Sequence, residues 1–492
     1  MYEFPKNFML GYSWAGFQFE MGLKGSEVPG SDWWVWVHDK ENIAAGIVSG
    51  DLPENGPAYW HLYSKDHDIA EKLGMNAMRG GIEWARIFPE PTFDVKVTVD
   101  RDEEGRIISI DIPESALEEL EKKADMEALK HYKEIYSDWR SRGKTFILNL
   151  YHWPLPLWLH DPIKVRKLGP DRAPSGWLDD RSIVEFAKFA AFIAYHLDDY
   201  VDMWSTMNEP NVVYEQGYSR PKSGFPPGYL SLEAMEKARL NIIYAHARAY
   251  DAIREHSKKP VGVIYAYAWL DPLSEGIEED VRRIREGSYG FVDSIYFGES
   301  KIVGEGRREL KGRLDWLGVN YYSRIAFDKV GGQVTPVPGY GFAGVRKGYA
   351  KSGRPCSDFG WEIYPEGLEK LLRELGGRYK LPIIVTENGI ADEADRYRPY
   401  YLVSHLKAVH DAIKAGVDVR GYLHWSLVDN YEWAEGFRMR FGLVKVDYET
   451  KKRYLRPSAL VFREIATQKA IPEELEHLID LKPILRENLV PL

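Results

Sequence analysis

"STMNEPNVV", residues 205–213, sets Asn208, Glu209 and Pro210 directly behind an apolar stretch that begins at Val201. Proline has no backbone N–H and breaks a strand ladder. It also drives the residue before it out of the helical region. Glu209 is therefore predicted to stand at a strand tip, its backbone extended and with little freedom. A surface glutamate needs no such arrangement. The pattern returns in "PIIVTENG", residues 382–389, where Glu387 closes an apolar run and the turn pair Asn388–Gly389 follows.

An architecture that gathers strand tips on one face would bring these two carboxylates together. Eight short β-rich runs punctuate the chain, beginning near Phe8, Asn76, Lys144, Val201, Val261, Arg313, Pro382 and Val419. Between most of them apolar residues recur every three to four positions, as in "EAMEKARLNIIYAHARAYDAIREHS", which is helical spacing. Ser182 and Glu185, three apart, have the spacing of a capping box. Strands that alternate with helices pair in parallel, because each return crosses over through a helix. Eight such units predict an α/β fold, one (β/α)₈ TIM barrel with long βα loops and insertions.

No Pro/Gly/Ser linker divides the sequence, so residues 1–492 are read as one domain. The segment from Pro91 to about Leu120, with the turn signal "DRDEEGRI", reads as an insertion before a helix starting near Met126. The long connection Pro210–Ser231 is predicted to wall the site. In a parallel barrel the C-terminal strand ends share one face, and here they finish as "LNLYHW", "STMNE", "GVNYY", "IVTENG" and "LHWSLVDNYEW".

Bulk composition excludes several classes. A net charge of −10 over 492 residues, with no Lys/Arg-dense tract, argues against nucleic acid. Cys356 is the single cysteine, so disulfide frameworks and cysteine metal sites are excluded within one chain. The start "MYEFPKNFML" is not a secretory leader and no apolar run reaches about 18 residues, so no membrane association and a cytoplasmic location are expected. Sixteen Trp and 31 Tyr are plentiful, and flat aromatics stack on sugar faces. Scarce glutamine beside abundant charge leans towards a heat-adapted source.

Two carboxyl groups across one pocket are what cleavage of a glycosidic bond requires. One enters protonated to neutralise the leaving oxygen, and the other ionised to meet the oxocarbenium-like carbon. Mutual repulsion separates those states. Metal hydrolysis fails on spacing, since no HExxH or HxH occurs and His405 and His410 do not share a helical face; no metal is expected. A serine nucleophile lacks its GxSxG elbow. The reading from another class is a catalytically inactive carbohydrate-binding barrel, which tryptophans would serve but which has no use for two facing glutamates.

At these glutamates the sequence resembles family 1 glycoside hydrolases, in particular the archaeal β-glycosidase branch. The resemblance spans nearly the whole chain, through "FMLGYSWAGFQFE", "YHWPLPLWL", "TMNEPN", "GVNYYSR", "VTENGI" and "GYLHWSLVDNYEWAEGFRMRFGLVKVD". It implies a (β/α)₈ barrel, retaining exo-hydrolysis of β-glucosides and β-galactosides with transglycosylation as a side reaction, and no cofactor. By matching motif, Glu209 is implied to be the acid/base and Glu387 the nucleophile. Tyr322 would orient Glu387, Arg79 would keep it ionised, and Asn208 would contact the sugar 2-hydroxyl. Gln18, His152, Trp153, Glu432 and Trp433 would grip the sugar over a floor of Trp425, with Phe441 near C6 and the indoles of Trp153 and Trp433 as donors.

Glu432 would repel a 6-phosphate, which points to unphosphorylated sugars, and Glu209 excludes the thioglucosidase branch. "RGGIEW" and Trp14 depart from much of the family. Adjacent strand residues face opposite ways, yet Asn208 and Glu209 must both face the site, so a bulge or sharp twist is expected there. The relatives imply a homo-oligomer, a tetramer, with the tail "EHLIDLKPILRENLVPL" as a candidate interface.

Overall fold

A computed structural model describes residues 1–480. Eight strands lie where the β-rich runs stand: β1 (Met9–Ser13), β2 (Ala77–Gly81), β3 (Thr145–Tyr151), β4 (Met203–Asn208), β5 (Val261–Pro272), β6 (Trp316–Val330), β7 (Ile383–Glu387) and β8 (Val419–His424). Each pairs in parallel with the next, and β8 pairs with β1, so the sheet closes on itself. The returns run through α1 (Tyr59–Lys72), α2 (Met126–Arg140), α3 (Arg181–Leu197), α4 (Leu232–Arg254), α5 (Gly290–Phe297), α6 (Pro365–Tyr379) and α7 (Arg398–Lys414), with α8 (Pro457–Gln468) after β8. This is the (β/α)₈ barrel read from the sequence.

The bore is packed solid. Ala77, Ile147, Ile264, Trp316, Ile384 and Leu423 form one buried cluster, with Met9 and Met203 against it, so every strand contributes a side chain. Layers of this kind close a barrel to solvent and leave the C-terminal rim for chemistry. The helices bury their apolar faces on the outside of the sheet in a second, larger cluster.

Local signals held unevenly. Asp125 caps α2 by accepting from the Ala128 amide, and Ser231 caps α4 through Ala234. The capping box at Ser182 does not form, because α3 begins at Arg181 with no side-chain cap. Ser182 is buried and donates to the Gly176 carbonyl, and Glu185 is taken by Lys188 at 2.9 Å and by the Thr92 hydroxyl. Buried partners outcompete the helix end.

The insertion holds an antiparallel hairpin, Thr98–Arg101 with Ile107–Asp111. Buried Arg248 of α4 ties it to the barrel by donating to the carbonyls of Ile107 and Ile108. Residues 481–492, most of the tail considered for an interface, lie outside the described residues.

Candidate active site

Glu209 follows the last residue of β4 and opens a helix, Pro210–Ser219, that forms the first half of the long connection. Its backbone is not extended, as the following proline suggests, but left-handed, at φ 49 and ψ 55. A non-glycine residue there costs about 1–3 kcal/mol. The turn is held by the Glu209 amide donating to the Ile264 carbonyl at 2.8 Å and by the Val212 amide returning to the Glu209 carbonyl at 3.0 Å. The β4–β5 register shifts between Ser205 and Asn208. That irregularity and the left-handed residue are the expected distortion, and they let Asn208 and Glu209 face the same way.

Glu387 ends β7, opposite Asn320 of β6 across another register shift. The side-chain Nδ2 of Asn388, behind it, donates to the Tyr321 carbonyl at 2.8 Å and to the Tyr401 hydroxyl at 3.0 Å. Gly389 is required by close approach, because a Cβ there would lie 1.7 Å from the Trp425 carbonyl oxygen.

All the residues proposed from the sequence except Arg79 line one cavity of about 550 Å³ at this rim. Arg79 lies fully buried behind them. One of its amino groups bonds Glu387, and the other reaches Asn208 Oδ1 at 3.3 Å and His152 Nδ1 at 3.1 Å. Tyr322 donates its hydroxyl to the second Glu387 oxygen at 2.6 Å. Glu387 thus faces a cation and a phenol, both donors to its two oxygens. Glu209 instead accepts one bond, from Asn320 Nδ2 at 2.8 Å. Burial first, and then the charge of Glu387, push the Glu209 carboxyl up to about 8.

Donors face both ring nitrogens of His152, the Arg79 guanidinium at Nδ1 and the Asn208 side-chain N–H₂ at Nε2, 3.3 Å away. Burial and the Arg79 charge hold this imidazole well below its ordinary range, hence neutral. Gln18 spends its amide N–H₂ on the Tyr431 carbonyl at 2.9 Å. Its Oε1 is buried with no partner among the described residues, an acceptor waiting for a donor. Glu432 is pushed well above the carboxylate range by burial and then by Glu387 and Glu209.

The Trp433 ring stacks on Phe17 and meets Trp153 at 4.5 Å between centroids, while Trp425 lies parallel to His152. Phe441 packs its edge towards Tyr322. One role needs correction: the Trp153 indole N–H is spent on the Asn208 carbonyl, at 3.2 Å, so Trp153 offers the cavity a surface and not a donor.

Asn320 escaped the sequence reading. It shares a strand face with Tyr322, two residues on, and that period was the available signal. Its Nδ2 bridges Glu209 and Asn208 Oδ1, the latter at 3.0 Å, while Thr386 fixes its Oδ1 at 2.7 Å. Its N–H pulls the Glu209 carboxyl down against burial. Asn320→Ala is therefore expected to raise the Glu209 carboxyl's pKa further, read from its carboxyl signal by NMR; a pKa that falls would contradict the assigned bond. Phe342, Phe359 and Trp361, around the outer cavity, were also not singled out.

The sequence pattern described as "Glycosyl hydrolase family 1" matches residues 1–96 and 118–471. The chain belongs to glycosyl hydrolase family 1. It is thus a hydrolase of O-glycosyl bonds. The unmatched gap falls on the hairpin insertion.

A β-galactosidase of Saccharolobus solfataricus is 54% identical, over 98% of this chain and 99% of its own. Among solved structures, the β-glycosidase of the hyperthermophile Thermosphaera aggregans is 61% identical with a TM-score of 0.96, covering 98% of this chain and 100% of its own. A β-glucosidase mutant derived from a hyperthermophilic tetrameric structure is 72% identical with a TM-score of 0.94, covering 98% and 99%. No helix among the described residues is long and apolar enough to cross a membrane.

Proposed function

We propose that this family 1 enzyme is a retaining, exo-acting β-glycosidase for unphosphorylated β-glucosides and β-galactosides, with Glu387 as nucleophile and Glu209 as acid/base. The observation that carries the reading is the unequal treatment of two buried carboxyls in one cavity. Glu387 is paired with Arg79 and Tyr322, whereas Glu209 is held towards its protonated form.

The ionised Glu387 attacks the anomeric carbon as its bond to the leaving oxygen breaks, and that oxygen takes the Glu209 proton. The ester that forms at Glu387 is neutral, which removes the charge that favoured protonation of Glu209. Glu209 then accepts a proton from water as the water oxygen bonds the anomeric carbon and releases Glu387. A sugar hydroxyl in place of water gives transglycosylation.

Gln18 Oε1 and Glu432 serve as acceptors for the 3-, 4- and 6-hydroxyls. A site that grips the 4-hydroxyl needs that hydroxyl free, which favours a terminal sugar. A 6-phosphate would need a cation where Glu432 stands, so a phosphorylated sugar is disfavoured, and either orientation of the 4-hydroxyl can be met. The names of the similar proteins, β-galactosidase and β-glucosidase, support both sugars. The tetrameric origin of one similar structure supports a homo-oligomer.

Proton NMR of early hydrolysis of an aryl β-glucoside tests the mechanism. The β-anomer of glucose is expected to appear first and to mutarotate later. First appearance of the α-anomer would mean inversion and defeat the assignment.

A further inference from the structure

Gln18 sits on a helix of only four residues, Gly16–Phe19, whose N-cap, Ala15, supplies no side-chain bond. So short a helix does not sustain itself, and its position must come from outside. Below it stands Glu83, just beyond the end of β2 and 3% exposed. Glu83 Oε1 accepts the Phe17 amide at 2.8 Å. The carboxyl packs directly on the turn, because a Cβ at Gly16 would lie 2.5 Å from Glu83 Oε1 and 2.9 Å from Glu20 Oε1.

Glu83 is itself braced. Its amide donates to the Tyr132 hydroxyl at 3.0 Å, that hydroxyl donates to Glu20 at 2.7 Å, and Arg86 donates to the other Glu20 oxygen at 3.0 Å. On the opposite side, the Gln18 carbonyl accepts the Tyr431 amide at 3.1 Å, and the Gln18 side chain returns a bond to the Tyr431 carbonyl. Tyr431 immediately precedes Glu432. The turn is thus held between the Glu83 carboxyl and the segment that bears the second sugar acceptor.

We propose that Glu83 is a positioning residue for sugar recognition, setting through the Phe17 amide where Gln18 Oε1, and through Tyr431 the Glu432 carboxyl, meet a terminal sugar. This rests on the reading of Gln18 and Glu432 as sugar acceptors. Glu83 is not among the residues that line the cavity. Burial, reinforced by neighbouring Glu20, pushes its carboxyl up to about 8. A plain structural brace gains nothing from a carboxyl so costly to bury, whereas an acceptor for the turn has a use for it.

The test is a double-mutant cycle on a chromogenic aryl β-glucoside, with kcat/KM taken per titrated active site so that misfolded enzyme is not counted. Glu83→Ala is expected to lower kcat/KM roughly tenfold, mainly through KM. Glu83→Gln, whose amide oxygen still accepts the Phe17 N–H, should recover most of that loss. In a Gln18→Ala background, adding Glu83→Ala should cost no more than about threefold, because coupled residues are not additive. An equal loss in both backgrounds, or Glu83→Gln as poor as Glu83→Ala, would overturn the proposal. Gln18→Ala with unchanged kcat/KM would instead defeat the sugar-acceptor reading beneath it, and the inference with it.

Discussion

Glu387→Gly is expected to reduce turnover of an aryl β-glucoside on the order of 10⁵-fold or more, the scale seen when a covalent nucleophile is removed from a hydrolase. The loss is chemical and not a matter of binding, because Gln18, His152 and the tryptophan surfaces remain. Removing this side chain also strands a buried guanidinium, since Arg79 is fully buried and pairs with Glu387. Loss of one partner of a buried pair is destabilising by about 3–5 kcal/mol. Glu387→Gln is the companion variant: it keeps the volume and an acceptor for Tyr322 while abolishing the nucleophile, and it should be equally inactive. A 2-deoxy-2-fluoro glycosyl donor, which slows release of the intermediate, should add one sugar mass to the Glu387 peptide of the wild type and none to either variant. Turnover that persists in both variants, or a label on another peptide, would remove Glu387 from the mechanism.

The barrel was legible because its strands are apolar runs that end in chemistry-bearing side chains, and helical spacing separates most of them. All eight strands fall on the predicted runs. The site was legible at the residues whose types are unusual at a strand tip. What sequence alone did not reveal is how one residue turns. The rule for the residue before proline pointed Glu209 to an extended backbone, and tertiary contacts placed it left-handed instead. Trp153 and Trp433 likewise have positive φ, at 87° and 50°. Such angles persist only where the surroundings over-determine them, and no local pattern records the surroundings.

Asn320 was missed for a related reason. It lies inside the quoted "GVNYY", but its importance comes from Glu209, Asn208 and Thr386, on two other strands. The departure at "RGGIEW" was visible without its meaning. The missing side chain at Gly80 makes room for Trp14, whose indole atoms would lie 2.5 Å from a Cβ there, so the two unusual residues form one packing exchange.

Glu209→Ala should produce a different failure, and the difference identifies its role. With a poor leaving group, such as a second sugar, the departing oxygen needs a proton, and losing the acid is expected to cost about 10²–10⁴-fold. With 2,4-dinitrophenolate the first step needs no proton and should proceed near the wild-type rate, leaving the second step, which needs a base, to limit turnover. Azide needs no base to attack the glycosyl-enzyme. It should raise the steady-state rate of the variant and yield the β-glycosyl azide, the second displacement restoring configuration.

The pH profile carries the same signature. With Glu209 as the proposed acid, wild-type kcat/KM should fall as pH rises through about 8. This alkaline limb lies higher than an unperturbed glutamate would allow, because burial and the Glu387 charge both oppose ionisation. In Glu209→Ala assayed on the dinitrophenyl substrate, that limb should vanish. A variant that azide leaves unchanged, or one that keeps its alkaline limb, would mean that the proton comes from another group.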